Sequence, residues 1–82
     1  MRLDKYLKVS RIIKRRTVAN EACDAGRVVV NGKIARASYD EKVNDVIELT
    51  LGERTVKARV VSVNEYAKKD EAAMMYEIIE EK

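Results

Sequence analysis

The stretch Arg27-Val28-Val29-Val30-Asn31-Gly32-Lys33-Ile34-Ala35-Arg36 carries the strongest local signal in the chain. Three β-branched residues make a strand run, and Asn-Gly accepts the positive φ values that a two-residue type I′ turn demands, so residues 27–36 are expected to form a hairpin. Just upstream, Gly26 supplies the residue that ends a helix in the left-handed conformation. The apolar face of that helix is Val18, Ala19, Ala22 and Cys23, and Thr17 offers its hydroxyl as the N-cap. Farther upstream, Leu3, Tyr6, Leu7 and Ser10 fall at i, i+3, i+4 and i+7 with Lys5 and Lys8 on the other face, which predicts a short amphipathic helix over about 2–9. Residues 10–16 bend between the two helices and display their cations.

Downstream of the hairpin, residues 46–51 alternate Ile47, Leu49 and Leu51 inward with Val46, Glu48 and Thr50 outward. After the Gly52-Glu53-Arg54 turn, Val56, Ala58 and Val60 continue the alternation. Val61 and Val63 break its phase, which predicts a bulge or a strand buried on both sides. Asp70 is placed to cap a short helix over about 70–76, and Tyr76-Glu77-Ile78-Ile79 reads equally well as its continuation or as a strand. The sum is an α+β fold: two short N-terminal helices packed on a small, mainly antiparallel sheet, with a short C-terminal helix.

Eighty-two residues allow one small domain, and the absence of Pro, the three Gly and the lack of repeats leave no linker within it. The chain is 46% hydrophobic and 38% charged, enough apolar content for a modest core. There is no His, no Trp and one Cys, so the usual general-base, metal-ligand and thiol-pair arrangements are nearly all missing. Neither a catalytic residue nor a metal or cofactor is expected. Cys23 has no internal disulfide partner, no signal-peptide h-region opens the chain, and no apolar run reaches the ~20 residues a bilayer span requires. A cytoplasmic protein that makes no membrane contact is expected.

The net charge of +3 conceals a strong asymmetry. Residues 1–16 carry Arg2, Lys5, Lys8, Arg11, Lys14, Arg15 and Arg16 against Asp4 alone, a balance of +6, and the remainder of the chain sums to −3. Residues 70–82 alone reach −4. Such a distribution turns one surface toward a polyanion and the other toward solvent or a different partner. The basic stretch contains almost no interspersed acid, and it favours Arg, whose planar fork matches phosphate oxygens and stacks on bases. With Thr17 and the helix start beside Arg15 and Arg16, the arrangement suits phosphate. Asp4 is placed to orient neighbouring cations or to favour the N-terminal end of its helix.

The run Arg2-Leu-Asp-Lys-Tyr-Leu-Lys-Val-Ser-Arg-Ile-Ile-Lys-Arg-Arg-Thr17, followed by Gly26-Arg-Val-Val-Val-Asn-Gly-Lys33, resembles the alpha-L RNA-binding module of ribosomal protein S-four and its relatives over about residues 1–51. The whole chain, including Ala72-Ala-Met-Met-Tyr-Glu-Ile-Ile79, is similar to the RqcP-like family of small stand-alone bacterial proteins, with the ribosome-associated fifteen-kilodalton heat-shock protein as a more distant cousin. The resemblance implies a single S-four-like domain over 1–82 with a short acidic C-terminal extension. It implies a non-catalytic factor that binds rRNA and peptidyl-tRNA on stalled large ribosomal subunits and helps an RqcH-type tailing factor add C-terminal alanine. A monomer is expected. Carried over by position, Arg2 and Arg16, with Arg11, Lys14 and Arg15 beside them, are the RNA-facing residues. Lys5 and Lys8 are weaker candidates, because their stems can cover the edge of the core. Asn44-Asp45 stands where the family often has Gly-Asp, and Asn tolerates the left-handed conformation. The acidic ending separates this chain from the heat-shock cousin, which continues into a basic tail.

Alternatives remain at this level: an adaptor acting through the acidic segment, or a general rRNA-binding recycling factor of the heat-shock type. A phosphate-directed patch does not by itself separate RNA from DNA. Cys23 and Tyr6 are expected in the core, and Met74, Met75 and Tyr76 either fill gaps there or face a partner.

Overall fold

A computed structural model describes residues 1–81. Its elements are α1 (Leu3–Val9), α2 (Arg16–Asp24), β1 (Val28–Val30), β2 (Lys33–Ile34), β3 (Val46–Leu51), β4 (Arg54–Val60), α3 (Lys69–Ala72) and β5 (Tyr76–Glu81). The strands form one antiparallel sheet in the order β2-β1-β3-β4-β5. The expected α+β architecture is present.

The hairpin forms as the Asn-Gly dipeptide dictates. Asn31 and Gly32 take φ of 52° and 84°, and Val30 pairs with Lys33 across the turn. The Asn31 side chain does more than tolerate the turn: its Nδ2 donates to Asp45 (3.0 Å) and its Oδ1 accepts from the Val46 amide (2.9 Å). Asp45 also accepts from the Tyr39 hydroxyl and the Lys42 amide, so a single buried carboxylate ties the hairpin to the start of β3. Asn44, at φ 77°, takes the left-handed conformation expected at this turn.

At the end of α2, the Gly26 amide donates to the Cys23 carbonyl and the Arg27 amide to Ala22, the paired bonds of a Schellman cap, with Gly26 at φ 73°. The start of α2 differs from expectation. Helical geometry begins at Arg16, Arg15 occupies the N-cap position, and no side chain caps the helix. Thr17 therefore lies in the first turn, exposed, where its hydroxyl has no capping role. Val18, expected on the buried face, is 41% exposed, while Ala19, Ala22 and Cys23 are buried as expected.

The first helix is held differently. Its opening amides find backbone partners in the returning chain: Leu3 donates to the Tyr39 carbonyl (2.7 Å) and Asp4 to that of Ala37 (3.2 Å). These bonds satisfy donors that a helix start would otherwise leave to solvent. Leu3, Tyr6, Leu7, Ala19, Cys23, Val28, Ile47, Leu49, Val60 and Met75 belong to the single buried cluster found among the described residues. The Tyr6 hydroxyl donates to the Met75 carbonyl at 2.7 Å, and burial lifts its pKa far above the ordinary tyrosine range. Cys23 is buried, and its thiol is pushed up to about 11 by that burial.

Beyond β4 the structure departs from the expected pattern. The strand ends at Val60, and Val61 and Val63 lie outside the sheet, more than a third exposed, so the phase break marks the end of the strand. The bulge falls between Lys57 and Ala58 on the β5 side. The expected 70–76 helix is a single turn, Lys69–Ala72, with Lys68 at its N-cap position, leaving Asp70 in the first turn with no capping bond. Tyr76–Glu81 is a strand. Leu51 keeps its place on the inward-facing side but is 37% exposed, because it lies at the strand end. Lys82, the last charge of the acidic segment, lies outside the described residues.

Candidate nucleic-acid interface

The seven N-terminal cations and Thr17 do not form one uniform patch; the fold sorts them into groups. Arg2 and Arg16 meet at Asp4. Arg2 donates through Nε to Asp4 Oδ1 (3.1 Å) and through Nη2 to Oδ2 (3.4 Å), and Arg16 Nε donates to Oδ2 (3.4 Å). Asn20 Nδ2 and the Lys5 amide complete the shell of Asp4 at 3.3 and 2.8 Å. The Asp4 side chain is 3% exposed, whereas those of Arg2 and Arg16 are 52% and 48% exposed. A buried anion therefore grips the inner edges of two guanidinium groups whose outer parts face solvent. Burial by itself would raise the Asp4 carboxyl, but the bonds from Asn20, Arg2, Arg16 and the Lys5 amide together outweigh it and hold the group below its ordinary value.

This geometry explains why Asp4 stands alone among the cations. Two arginines brought together unaided would repel, and long side chains would sample many rotamers. A shared carboxylate holds both forks in place and would lower the ordering cost for a ligand that met them. Both roles expected of Asp4, orienting the cations and lying in the first turn of α1, are realised. Asn20 is the member that the sequence reading missed. Its signal was available, because it lies one helical turn beyond Arg16 on α2. Arg36, also missed, lines a groove of about 480 Å³ together with Arg2, Asn20, Asp24 and Ser38.

Lys8, Arg11 and Lys14 form the second group and line a shallow depression of about 370 Å³. All three are exposed. Arg11 has φ 63°, a left-handed conformation that a side chain with a Cβ enters at a cost of about 1–2 kcal/mol. It occupies the position after the C-cap Ser10 of α1, where glycine is the usual residue. Replacing Arg11 by Gly is expected to raise thermal stability by about 0.5–1 kcal/mol, the relieved strain less the added freedom of the unfolded chain, while weakening RNA binding. A melting curve and a binding isotherm on the same variant check both signs. A variant that is less stable, or binds as tightly as wild type, contradicts this account.

Arg15 and Thr17 are exposed at the start of α2. Lys5 is drawn away from the others: its Nζ lies 3.6 Å from Glu65 and 5.8 Å from the centroid of the Tyr66 ring. Of the eight residues expected in the site, Arg2 and Arg16 are thus joined, Lys8, Arg11 and Lys14 are joined, and Lys5 is engaged elsewhere. Among the described residues no cluster of His, Cys, Asp and Glu could hold a metal ion, and no helix is long and apolar enough to cross a membrane.

The chain is similar to known proteins. The S4 domain profile matches residues 1–47. Over 81 residues, 99% of the chain, the sequence is 57% identical to the RQC P-site tRNA stabilizing factor of Streptococcus pneumoniae, of which it spans 92%. It is 49% identical over the same length to the protein of that name from Bacillus subtilis, spanning 94% of it. Among solved structures, the trimeric heat shock protein 15 of Vibrio cholerae superimposes with a TM-score of 0.86 at 26% identity, covering 95% of this chain and 80% of that one.

Proposed function

Because the chain belongs to the S4 domain family and groups within it with the RQC P-site tRNA stabilizing factors, we propose that it is a non-catalytic RNA-binding factor of ribosome-associated quality control. It acts in the cytoplasm, as a monomeric single-domain protein, on stalled large ribosomal subunits. There it contacts rRNA and the tRNA that still carries the nascent chain, and it supports C-terminal alanine tailing by an RqcH-type factor. The observation that carries this reading is the Asp4-anchored arginine pair. Two forks fixed at their inner edges and open at their outer ones suit phosphate oxygens on a folded RNA. The Lys8, Arg11 and Lys14 depression supplies a second point of phosphate contact. Two separate points of contact on one domain define an orientation as well as an attraction.

An adaptor acting through its acidic end is the rival account. It is weakened by Arg59, whose Nη2 lies 2.7 Å from Glu77 Oε2 and so matches part of that charge within the sheet. Co-sedimentation with purified large subunits tests the proposal. Binding is expected to fall steeply with salt, with a log–log slope near the roughly 4–6 cations that displace counterions, by analogy with duplex DNA. Exchanging Glu77 and Glu80 for Gln should leave binding unchanged or slightly tighter, since it removes negative charge that repels RNA. A flat salt response, or loss of binding in the Gln variant, refutes the proposal.

A further inference from the structure

The basic surface has one aromatic companion that the arginine sites do not use. Tyr66 is 85% exposed, in a protein whose Tyr6 is fully buried and whose Tyr39 and Tyr76 are half-buried. Its position is not that of a ring loose on a disordered loop. The Asn64 side chain accepts from the Tyr66 amide at 3.0 Å, the Ala67 amide donates back to the Asn64 carbonyl at 3.4 Å, and Ala67 packs against the core. The turn is pinned from both sides while the ring between its anchors projects into solvent. A tyrosine ring left in water forgoes the burial that usually accounts for its presence.

The surroundings of the ring show what it would accept. Lys5 Nζ stands 5.8 Å from the ring centroid and is itself held by Glu65 at 3.6 Å. Lys5 lies three residues after Arg2 and three before Lys8, so the ring stands beside the middle member of a series of cations. In the chain, Lys68 and Lys69 follow the turn, both exposed. An apolar protein ligand would find mainly charged neighbours here. Because Glu65 occupies Lys5, the spot is also poor for phosphate. What remains is a flat, polarisable face at the margin of a phosphate-binding surface, which is the environment in which aromatic side chains stack on unpaired bases.

We propose that Tyr66 is a nucleobase-stacking residue: it receives one unpaired base of the RNA whose phosphates the arginine pair and the Lys8, Arg11 and Lys14 depression engage. The inference rests on the RNA-binding reading above and deepens it, extending the interface to residues 64–69, beyond the segment matched by the S4 domain profile. It assigns the contact to the base and not to the backbone. The contribution of Tyr66 to binding is therefore independent of salt, unlike that of the arginines.

The test uses the full chain and a short single-stranded RNA carrying one 2-aminopurine, whose fluorescence is quenched on stacking. Wild type and Tyr66→Phe should quench the probe and bind alike, since Phe keeps the ring. Tyr66→Leu should abolish the quenching and weaken binding by roughly tenfold, the size of one base–aromatic stack, with an unchanged salt slope. Undiminished quenching in Tyr66→Leu overturns the proposal, as does a shallower salt slope or a loss confined to binding of a protein partner. The Arg2→Ala, Arg16→Ala double variant, measured in parallel, separates the two ideas. If it loses the RNA while Tyr66→Leu does not, stacking fails and RNA binding stands; if neither variant loses it, both fail.

Discussion

Replacing Arg2 and Arg16 together by Ala is expected to release the protein from large ribosomal subunits while leaving it folded, with a melting temperature lowered by the weakened hold on Asp4. Each fork that meets phosphate makes charge-assisted hydrogen bonds worth about 1.5–3 kcal/mol, so loss of the pair should weaken binding at least a hundredfold at moderate salt. The same change should lower the log–log salt slope by about two units, one per removed contact. The fold should survive, because both side chains are about half exposed and neither belongs to the core. One adjustment follows from the geometry. The double variant leaves Asp4 with Asn20 and the Lys5 amide but without its cations, so its carboxyl should titrate higher and the stability that the two ion pairs supply is lost. Co-sedimentation and thermal unfolding on one preparation decide the matter. Retention on the subunit would move the site elsewhere, and a collapsed melting transition would make the arginines structural.

The largest effect on stability is expected at Glu41. Its side chain is fully buried, and neither carboxylate oxygen has a hydrogen-bond partner. The nearest cation, the α-amino group of Met1, is 3.9 Å away and is bound more closely by Asp40 at 2.6 Å. Burial raises the Glu41 carboxyl from 4.5 to about 7. The folded state thus favours the protonated form, and the sign of the pH dependence is fixed. Below about pH 4.5 the group is neutral in both states and adds no pH dependence to stability. Between about 4.5 and 7 the unfolded chain ionises while the folded one resists, so stability falls as pH rises. Above 7 the loss is complete, on the order of 3 kcal/mol at 1.36 kcal/mol per pKa unit.

Glu41→Met retains the buried volume and removes the charge. At pH 8 it should melt roughly 10 °C above wild type, and the decline between pH 4.5 and 7 should disappear. Equal melting temperatures at pH 8 would show that the carboxylate has found a partner. Asp4 and Asp45 act in the opposite direction. Their carboxyls are held below the ordinary value, so their contribution is present above about pH 3.8 and is lost only in stronger acid.

Local chemistry explains which parts of this molecule were legible in its sequence. Asn31-Gly32 has one favourable backbone solution, and the hairpin follows from it. The Leu3, Tyr6, Leu7 spacing has one helical reading, and all three residues are buried. Where two residues compete for one role, the sequence misleads. Thr17 is a better cap than Arg15 by propensity, yet the helix starts ahead of it. Tyr76-Glu77-Ile78-Ile79 satisfies both periods, and pairing with β4 makes it a strand. Contacts made by distant parts of the chain leave no local trace. Nothing in Asp40-Glu41-Lys42 announces a buried carboxylate, and nothing near Lys5 announces Glu65. The basic cluster was evident as composition, but its division into an anchored pair, a strained depression and a diverted lysine exists only in three dimensions.

The hydrogen bond from Tyr6 to Met75 spans 69 positions, and Met75 is buried in the same cluster as α1 and α2. This has a consequence for how the protein comes into being. A ribosome emits residues 1–16 well before residue 75, and helices as short as α1 and α2 are marginal in water until they are packed. Their packing surface is incomplete until residue 75 has emerged and the non-local strand pairings have closed, a step that topology makes slow. Throughout its own synthesis the nascent chain thus carries its cations on unformed helices, with Asp4 not yet gripping either arginine. The two-point surface appears only after residue 75 has emerged, so a shorter nascent chain has the charge needed to approach RNA but not the shape needed to hold it.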